Sequence, residues 1–143
     1  MTKELTVLVD ISGSMAEDCK NAVVNYLLNT IASKTDYIKQ SIYLIGNSLD
    51  KADEAGSFKI NYGGQITVNA INKLFNEVPE GVPILLISDG CFDVDIENTL
   101  AKRREDIVCV AVGSDALLNN LQRCSKNKKV YQAEDIISAI MAC

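Results

Sequence analysis

The chain has 143 residues, of which 48% are hydrophobic, and this is enough to build one globular domain, which we expect to span 1–143. Its formal net charge is -5 and it contains no run of basic residues long enough to track a phosphate backbone, so we expect neither nucleic acid nor an anionic membrane as a partner. The chain contains no histidine, which excludes every mechanism that uses imidazole as a base, a proton shuttle or a metal ligand.

The start of the chain and the cysteines favour a cytoplasmic protein. The opening residues reach Asp10 before an apolar stretch of signal-peptide length can form, and no apolar run is long enough to span a bilayer. The five cysteines are odd in number and widely spaced, unlike those of zinc or redox motifs. We therefore expect reduced thiols, most of them in the core.

Predicted strands and helices alternate along the chain. Short apolar runs rich in Val and Ile predict strands that are buried on both faces, and such strands are usually parallel. We expect strands at 5–10, 41–46, 82–89, 107–113 and 128–132, and an edge strand at 57–62. We expect helices around 71–75, over 94–104 and, at the end of the chain, within 134–143. A further helix, between the first two strands, is expected to carry the apolar stripe Cys19, Val23, Tyr26, Leu27 and Ile31. The basic cluster at 101–106 is expected to be a solvated helix end.

This alternation predicts the α/β class. We expect a Rossmann-like three-layer sandwich, with a mostly parallel central sheet, one antiparallel edge strand and helices on both faces. Ligands of such folds bind beyond the carboxyl ends of the strands.

Oxygen-bearing side chains follow two of the predicted strands. Asp10 ends the first strand and precedes Ser12 and Ser14, and Asp89 ends another buried strand just before Gly90. We expect Asp10, Ser12, Ser14 and Asp89 to converge at one edge of the sheet. Carboxylate and hydroxyl oxygens suit a hard divalent cation, Mg²⁺ first, with Mn²⁺ or Ca²⁺ also suitable. Because Asp10 lies at a strand end, we expect it to be outside the core.

These residues resemble the von Willebrand factor type A (vWA) family and its metal-ion-dependent adhesion site (MIDAS). The family pattern Asp-x-Ser-x-Ser corresponds to Asp10, Ser12 and Ser14, and the second acid of the site, after a hydrophobic strand and before Gly, corresponds to Asp89. The resemblance covers essentially the whole chain. It implies a module that binds a carboxylate of a partner protein through the metal, and it does not imply an enzyme.

The chain departs from the family pattern at one further metal ligand. The family has a Thr in a Gly-Gly-Thr context, whereas this chain reads GGQIT, which places Gln65 at the Thr position and Thr67 two residues later. The Gln65 carbonyl or the Thr67 hydroxyl can serve as the ligand, or the site is degenerate.

Two other functions stay open beside the metal-dependent module. One is a metal-free vWA scaffold, and the other is a phosphotransfer enzyme that uses Asp10 as its nucleophile. Small domains of this family work beside AAA+ ATPases or in stress resistance, so the resemblance implies an intracellular assembly with such a partner.

Overall fold

The computed structural model of the chain describes residues 4–17, 19–33, 39–52 and 60–143. Its strands are β1 (Glu4–Asp10), β2 (Lys39–Ile45), β3 (Leu49–Ala52), β4 (Ile84–Ser88), β5 (Ile107–Ala111) and β6 (Val130–Gln132). Its α-helices are α1 (Lys20–Ala32), α2 (Val68–Glu77), α3 (Val94–Ala101), α4 (Leu118–Cys124) and α5 (Ile136–Ala142). Among these residues, no helix is long and apolar enough to cross a membrane.

The strands form one six-stranded sheet in the order β3-β2-β1-β4-β5-β6. All neighbouring strands are parallel except β2 and β3, which are antiparallel. The predicted α/β fold with a mostly parallel sheet and one antiparallel edge strand is therefore confirmed. β1 and β4 lie side by side at the centre, so the loops that follow Asp10 and Ser88 meet at the same edge of the sheet.

The two faces of the sheet bury two separate apolar clusters. Side chains alternate along β1, so Val7 and Val9 pack with α1 and α5, whereas Leu8 packs with α2, α3 and α4 on the other face. β4 and β5 are buried along their whole length, as expected for strands covered by helices on both sides. The result is a three-layer sandwich.

The antiparallel edge strand is not where the sequence placed it. It is β3, at Leu49–Ala52, and residues 60–62 form no strand. The remainder of the predicted strand, 57–59, lies outside the described residues. The segment 57–62 was predicted as the edge strand because its apolar and polar residues alternate. β3 has only four residues, which are too few to show a clear alternation in the sequence.

The basic cluster at 101–106 is not simply a solvated helix end, because Arg103 is buried at the amino-terminal edge of the sheet. Its side chain is 8% exposed, and its guanidinium donates to the carbonyls of Val78 (2.6 Å) and Pro79 (2.7 Å) and lies over the Phe75 ring. These carbonyls follow the end of α2, where backbone acceptors lack helical partners. Arg103 therefore ties α2 to the segment between α3 and β5.

Gly90, which follows β4, allows the backbone at Leu117 to approach closely. Gly90 has φ +75°, and a Cβ there would lie 2.7 Å from the carbonyl oxygen of Leu117. We expect Gly90→Ala to lower the free energy of unfolding by about 1–3 kcal/mol, because it adds both backbone strain and a contact that only backbone movement can relieve.

Urea denaturation of Gly90→Ala and Gly81→Ala will measure this cost. Gly81 also has a positive φ, +89°, but a Cβ there would meet nothing within 4 Å, so this control reports strain alone. Equal losses for the two variants would contradict a fixed contact between Gly90 and Leu117.

Candidate metal site and its buried lysine

The loop after β1 folds back on the carboxylate that ends the strand. The Ser12 amide donates to Asp10 Oδ1 (2.9 Å), and the Ser88 hydroxyl, at the end of β4, donates to Asp10 Oδ2 (2.6 Å). The hydroxyls of Ser12 and Ser14 are 3.4 Å apart. The structure therefore brings Asp10, Ser12 and Ser14 together.

The loop is held in place by its neighbours. The Gly13 amide donates to the Gly64 carbonyl (3.0 Å), and the Gly63 amide donates to the Ile11 carbonyl (2.9 Å). Met15 follows in a 3-10 turn (Gly13–Ala16) and is completely buried with α1 and α5. The segment before α2 and the first loop thus form one rigid wall of the site.

Asp10 is in the core rather than outside it, which corrects the expectation from its strand-end position. Its side chain is 0% exposed. Burial raises the pKa of the Asp10 carboxyl above its ordinary value, hydrogen bonds from Ser12 and Ser88 lower it in part, and the nearby Asp89 charge raises it further. In the described part of the chain, no Lys or Arg forms an ion pair with Asp10.

Asp89 has a different environment, because it is paired with a lysine. Its Oδ2 accepts from Lys20 Nζ at 3.0 Å, and its Oδ1 accepts from the Cys91 amide at 3.0 Å. Its backbone carbonyl accepts from the Leu117 amide (2.8 Å), so the loop after β4 is also tied to the start of α4. Both carboxylate oxygens of Asp89 therefore have partners within the protein.

Lys20 is the residue that the sequence analysis missed. Its side chain is 1% exposed, and Nζ contacts the Ser14 carbonyl (3.2 Å), Asp89 Oδ2 (3.0 Å) and Asp115 Oδ1 (3.0 Å). Burial alone lowers the pKa of the Lys20 ammonium, but the two carboxylates outweigh burial and leave that pKa raised. The ammonium also lowers the pKa of the exposed Asp115 carboxyl.

A signal for Lys20 was present in the helical pattern. The buried residues of α1 are Lys20, Val24, Leu27, Leu28 and Ile31, which follow helical spacing. The predicted stripe instead included Cys19 and Tyr26, which are exposed. All five cysteines are free thiols as expected, but only Cys109 and Cys124 are buried, so the expectation that most lie in the core is wrong.

The two proposed further ligands have other surroundings. The Thr67 hydroxyl caps α2, since it accepts from the Ala70 amide (3.2 Å), and it donates to the Asn47 carbonyl (3.1 Å). Gln65 is exposed and lines a pocket of about 200 Å³ with Cys91, Phe92 and Leu117. The segment that carries them adjoins the first loop through Gly64, but neither the Gln65 nor the Thr67 side chain forms a hydrogen bond with Asp10 or the two serines among the described residues.

Solved structures with the same fold include known metal-binding domains. A mussel byssus proximal thread matrix protein with a zinc-occupied MIDAS motif has a TM-score of 0.70 at 16% identity, and the match covers 99% of this chain and 46% of that one. An aerotolerance-related membrane protein of Bacteroides fragilis has a TM-score of 0.72 at 13% identity, over 99% and 100% of the two chains. Manganese-loaded TRAP of Plasmodium vivax has a TM-score of 0.59 at 16% identity, over 97% and 72%.

These likenesses establish the fold. A von Willebrand factor type A protein of Catenulispora acidiphila also matches, with a TM-score of 0.66 at 11% identity, over 99% of this chain and 42% of that one. No family model matches the sequence, and no curated protein matches it. The chain has the vWA fold, and it spans less than half of the mussel and Catenulispora proteins.

The donor set at the first loop fits a hard cation. No group of three or more Asp, Glu, His or Cys side chains in the described ranges is placed to hold a metal ion. The loop offers instead one buried carboxylate without an ion pair, Asp10, beside the hydroxyls of Ser12 and Ser14. Oxygen donors of this kind suit Mg²⁺ or Mn²⁺, and a buried carboxylate is stabilised by a cation beside it.

The raised pKa of Asp10 predicts how stability depends on pH without metal. Between the unfolded-state and folded-state pKa values the folded protein holds a proton that the unfolded chain has released, so this contribution to stability is present at low pH and is lost as the pH rises. In EDTA, the Tm of the wild type relative to that of Asp10→Asn should therefore fall as the pH rises above about 4, the ordinary pKa of an Asp carboxyl.

Thermal denaturation of the two proteins as the pH is raised will test the prediction. Glu105→Gln is the control, because it removes one carboxylate that is 80% exposed at the opposite edge of the sheet. A Tm difference between wild type and Asp10→Asn that is constant with pH would contradict the prediction.

Proposed function

We propose that this domain is a protein-interaction module that binds a carboxylate of a partner protein through a divalent cation held at Asp10, Ser12 and Ser14. The observation that carries the proposal is the Asp10 carboxylate, which is fully buried and has no ion-pair partner in the described ranges. Such a charge is costly unless the carboxyl is protonated or a cation lies beside it.

The residues of the site have separate roles in this proposal. Asp10 supplies the negative charge that attracts the cation, and its orientation is fixed by the Ser12 amide and the Ser88 hydroxyl. Ser12 and Ser14 supply neutral oxygen ligands. When bound, the divalent cation supplies a positively charged centre that accepts a carboxylate from outside.

The structural neighbours support a metal at this position. The mussel protein holds zinc in its MIDAS motif, and the Plasmodium protein is loaded with manganese. The sequence of the first loop matches the motif pattern at Asp10, Ser12 and Ser14. We take Mg²⁺ or Mn²⁺ as the physiological ion, because the donors here are oxygen atoms alone.

The wider assignment belongs to the same proposal. We propose a non-enzymatic role, which the family resemblance implies, and its further support is that the sequence contains no histidine to act as a general base or proton shuttle. The partner class is an AAA+ ATPase or a stress-resistance component, as the family resemblance suggests. Five free thiols, two of them exposed, suit a cytoplasmic location.

A metal-free interaction scaffold is the second candidate. It is favoured by the Thr67 hydroxyl, which already caps α2 instead of serving as a metal ligand. It is also favoured by Lys20, whose ammonium neutralises Asp89 without a metal. Measurement of metal binding separates the two candidates.

We expect Mn²⁺ to bind the wild type and to raise its Tm, whereas Asp10→Asn should show neither effect, because Asp10 is the charged ligand. The stabilisation should be about 2.7 kcal/mol when free Mn²⁺ is about 100 times its dissociation constant. Isothermal titration calorimetry and thermal denaturation measure the two effects, with Glu105→Gln as a variant that loses the same charge elsewhere.

The interaction itself is tested by affinity capture with the purified domain in Mg²⁺ or in EDTA. Proteins retained by the wild type in Mg²⁺ should be lost in EDTA and lost with Asp10→Asn. Wild-type protein that binds no Mn²⁺, together with capture that is indifferent to EDTA, would leave the metal-free scaffold as the function.

A further inference from the structure

We propose that Lys20 is a resident cation that neutralises Asp89, so that a divalent ion at Asp10 keeps a net positive charge and is held firmly only together with a carboxylate from outside. This inference rests on the function proposed above and defines what Lys20 contributes to it. It makes Lys20 a positioning and charge-setting residue rather than a ligand.

The contacts of Lys20 connect the loops at this edge of the sheet. Its Nζ contacts the Ser14 carbonyl in the loop after β1, Asp89 after β4 and Asp115 after β5. The pair with Asp89 is almost completely buried, since the two side chains are 1% and 2% exposed. A buried pair is screened little by water or salt, so its charges act strongly on the neighbouring site.

Two residues with positive φ adjoin this lysine. Cys19, which precedes α1, has a left-handed conformation with φ +62°, which is unfavourable for a residue with a side chain. Gly113 has φ +90°, and a Cβ there would lie 2.6 Å from Lys20 Cε. Glycine at position 113 is favoured by its positive φ, and the absence of a Cβ there leaves room for the Lys20 side chain.

The charges of Asp10, Asp89 and Lys20 explain why the metal and an external carboxylate should bind together. Asp10 and Asp89 carry two negative charges, and Lys20 cancels one of them, whereas Asp115 is 56% exposed and its charge is screened by water. A divalent cation therefore meets one uncompensated carboxylate in the wild type and would meet two without Lys20. An external carboxylate restores neutrality, so metal and carboxylate should each strengthen the binding of the other.

The test measures Mn²⁺ affinity of the intact chain by electron paramagnetic resonance of free Mn²⁺, in sodium acetate or in sodium chloride of equal ionic strength. For the wild type, acetate should raise the affinity for Mn²⁺. For Lys20→Met, the affinity in chloride should rise by about tenfold or more, because a nearby positive charge is removed, and acetate should add little. Lys20→Gln should behave similarly, and its amide can still donate to Asp89, which protects the fold.

Two further variants distinguish charge from mere structural change. The double variant Lys20→Met with Asp89→Asn has the same net site charge as the wild type, so its Mn²⁺ affinity and its response to acetate should return towards wild-type values. Lys102→Met removes an exposed lysine at the other edge of the sheet and should leave both unchanged. Circular dichroism and Tm confirm that each variant is folded.

The outcomes separate this inference from the proposed function. If the wild type binds Mn²⁺ through Asp10 but Lys20→Met and Lys20→Gln bind it no more tightly, Lys20 does not set the charge of the site and the interaction module stands without it. If neither the wild type nor any Lys20 variant binds Mn²⁺, the metal-dependent function fails, and the inference fails with it. A double variant that binds as tightly as Lys20→Met would also overturn the inference.

Discussion

Burial of the Asp10 carboxylate is the constraint on which the rest of this edge of the sheet depends. A carboxylate with no exposed surface needs donors on both oxygens, and the chain supplies them from the next loop and from the adjacent strand. That requirement fixes Ser12 above β1 and Ser88 at the end of β4. The central position of β1 and β4 in the sheet places these donors within reach.

The two acids of the site are compensated in opposite ways. Asp89 has an internal cation, whereas Asp10 is stabilised only by hydrogen bonds in the described ranges. Two buried carboxylates side by side repel each other, and the Asp89 charge indeed contributes to the raised pKa of Asp10. Lys20 pairs with Asp89 and so offsets one of the two negative charges at this edge of the sheet.

Sequence patterns predicted the sheet well because buried parallel strands leave continuous apolar runs. The same patterns placed Asp10, Ser12 and Ser14 on one loop, since a motif of alternate oxygen donors after a strand is local. Helical spacing placed Lys20 on the buried face of α1, but a lysine there is read as exposed unless its partners are known, and Asp89 and Asp115 are distant along the chain. The burial of Arg103 was not predicted either. Its guanidinium donates to backbone carbonyls, and because every residue has a carbonyl, no sequence pattern marks these acceptors.

The edges of the sheet restrict how another protein can attach. β3 has four residues, of which Asp50 and Lys51 are exposed, and β6 has three residues. Short or charged edge strands discourage backbone pairing with another chain. A peptide that binds by adding a strand to the sheet needs a long exposed edge. Recognition by strand addition is therefore disfavoured along the described residues of β3 and β6. In the proposed interaction module, specificity would then rest on side chains and loop shape rather than on backbone pairing with the sheet.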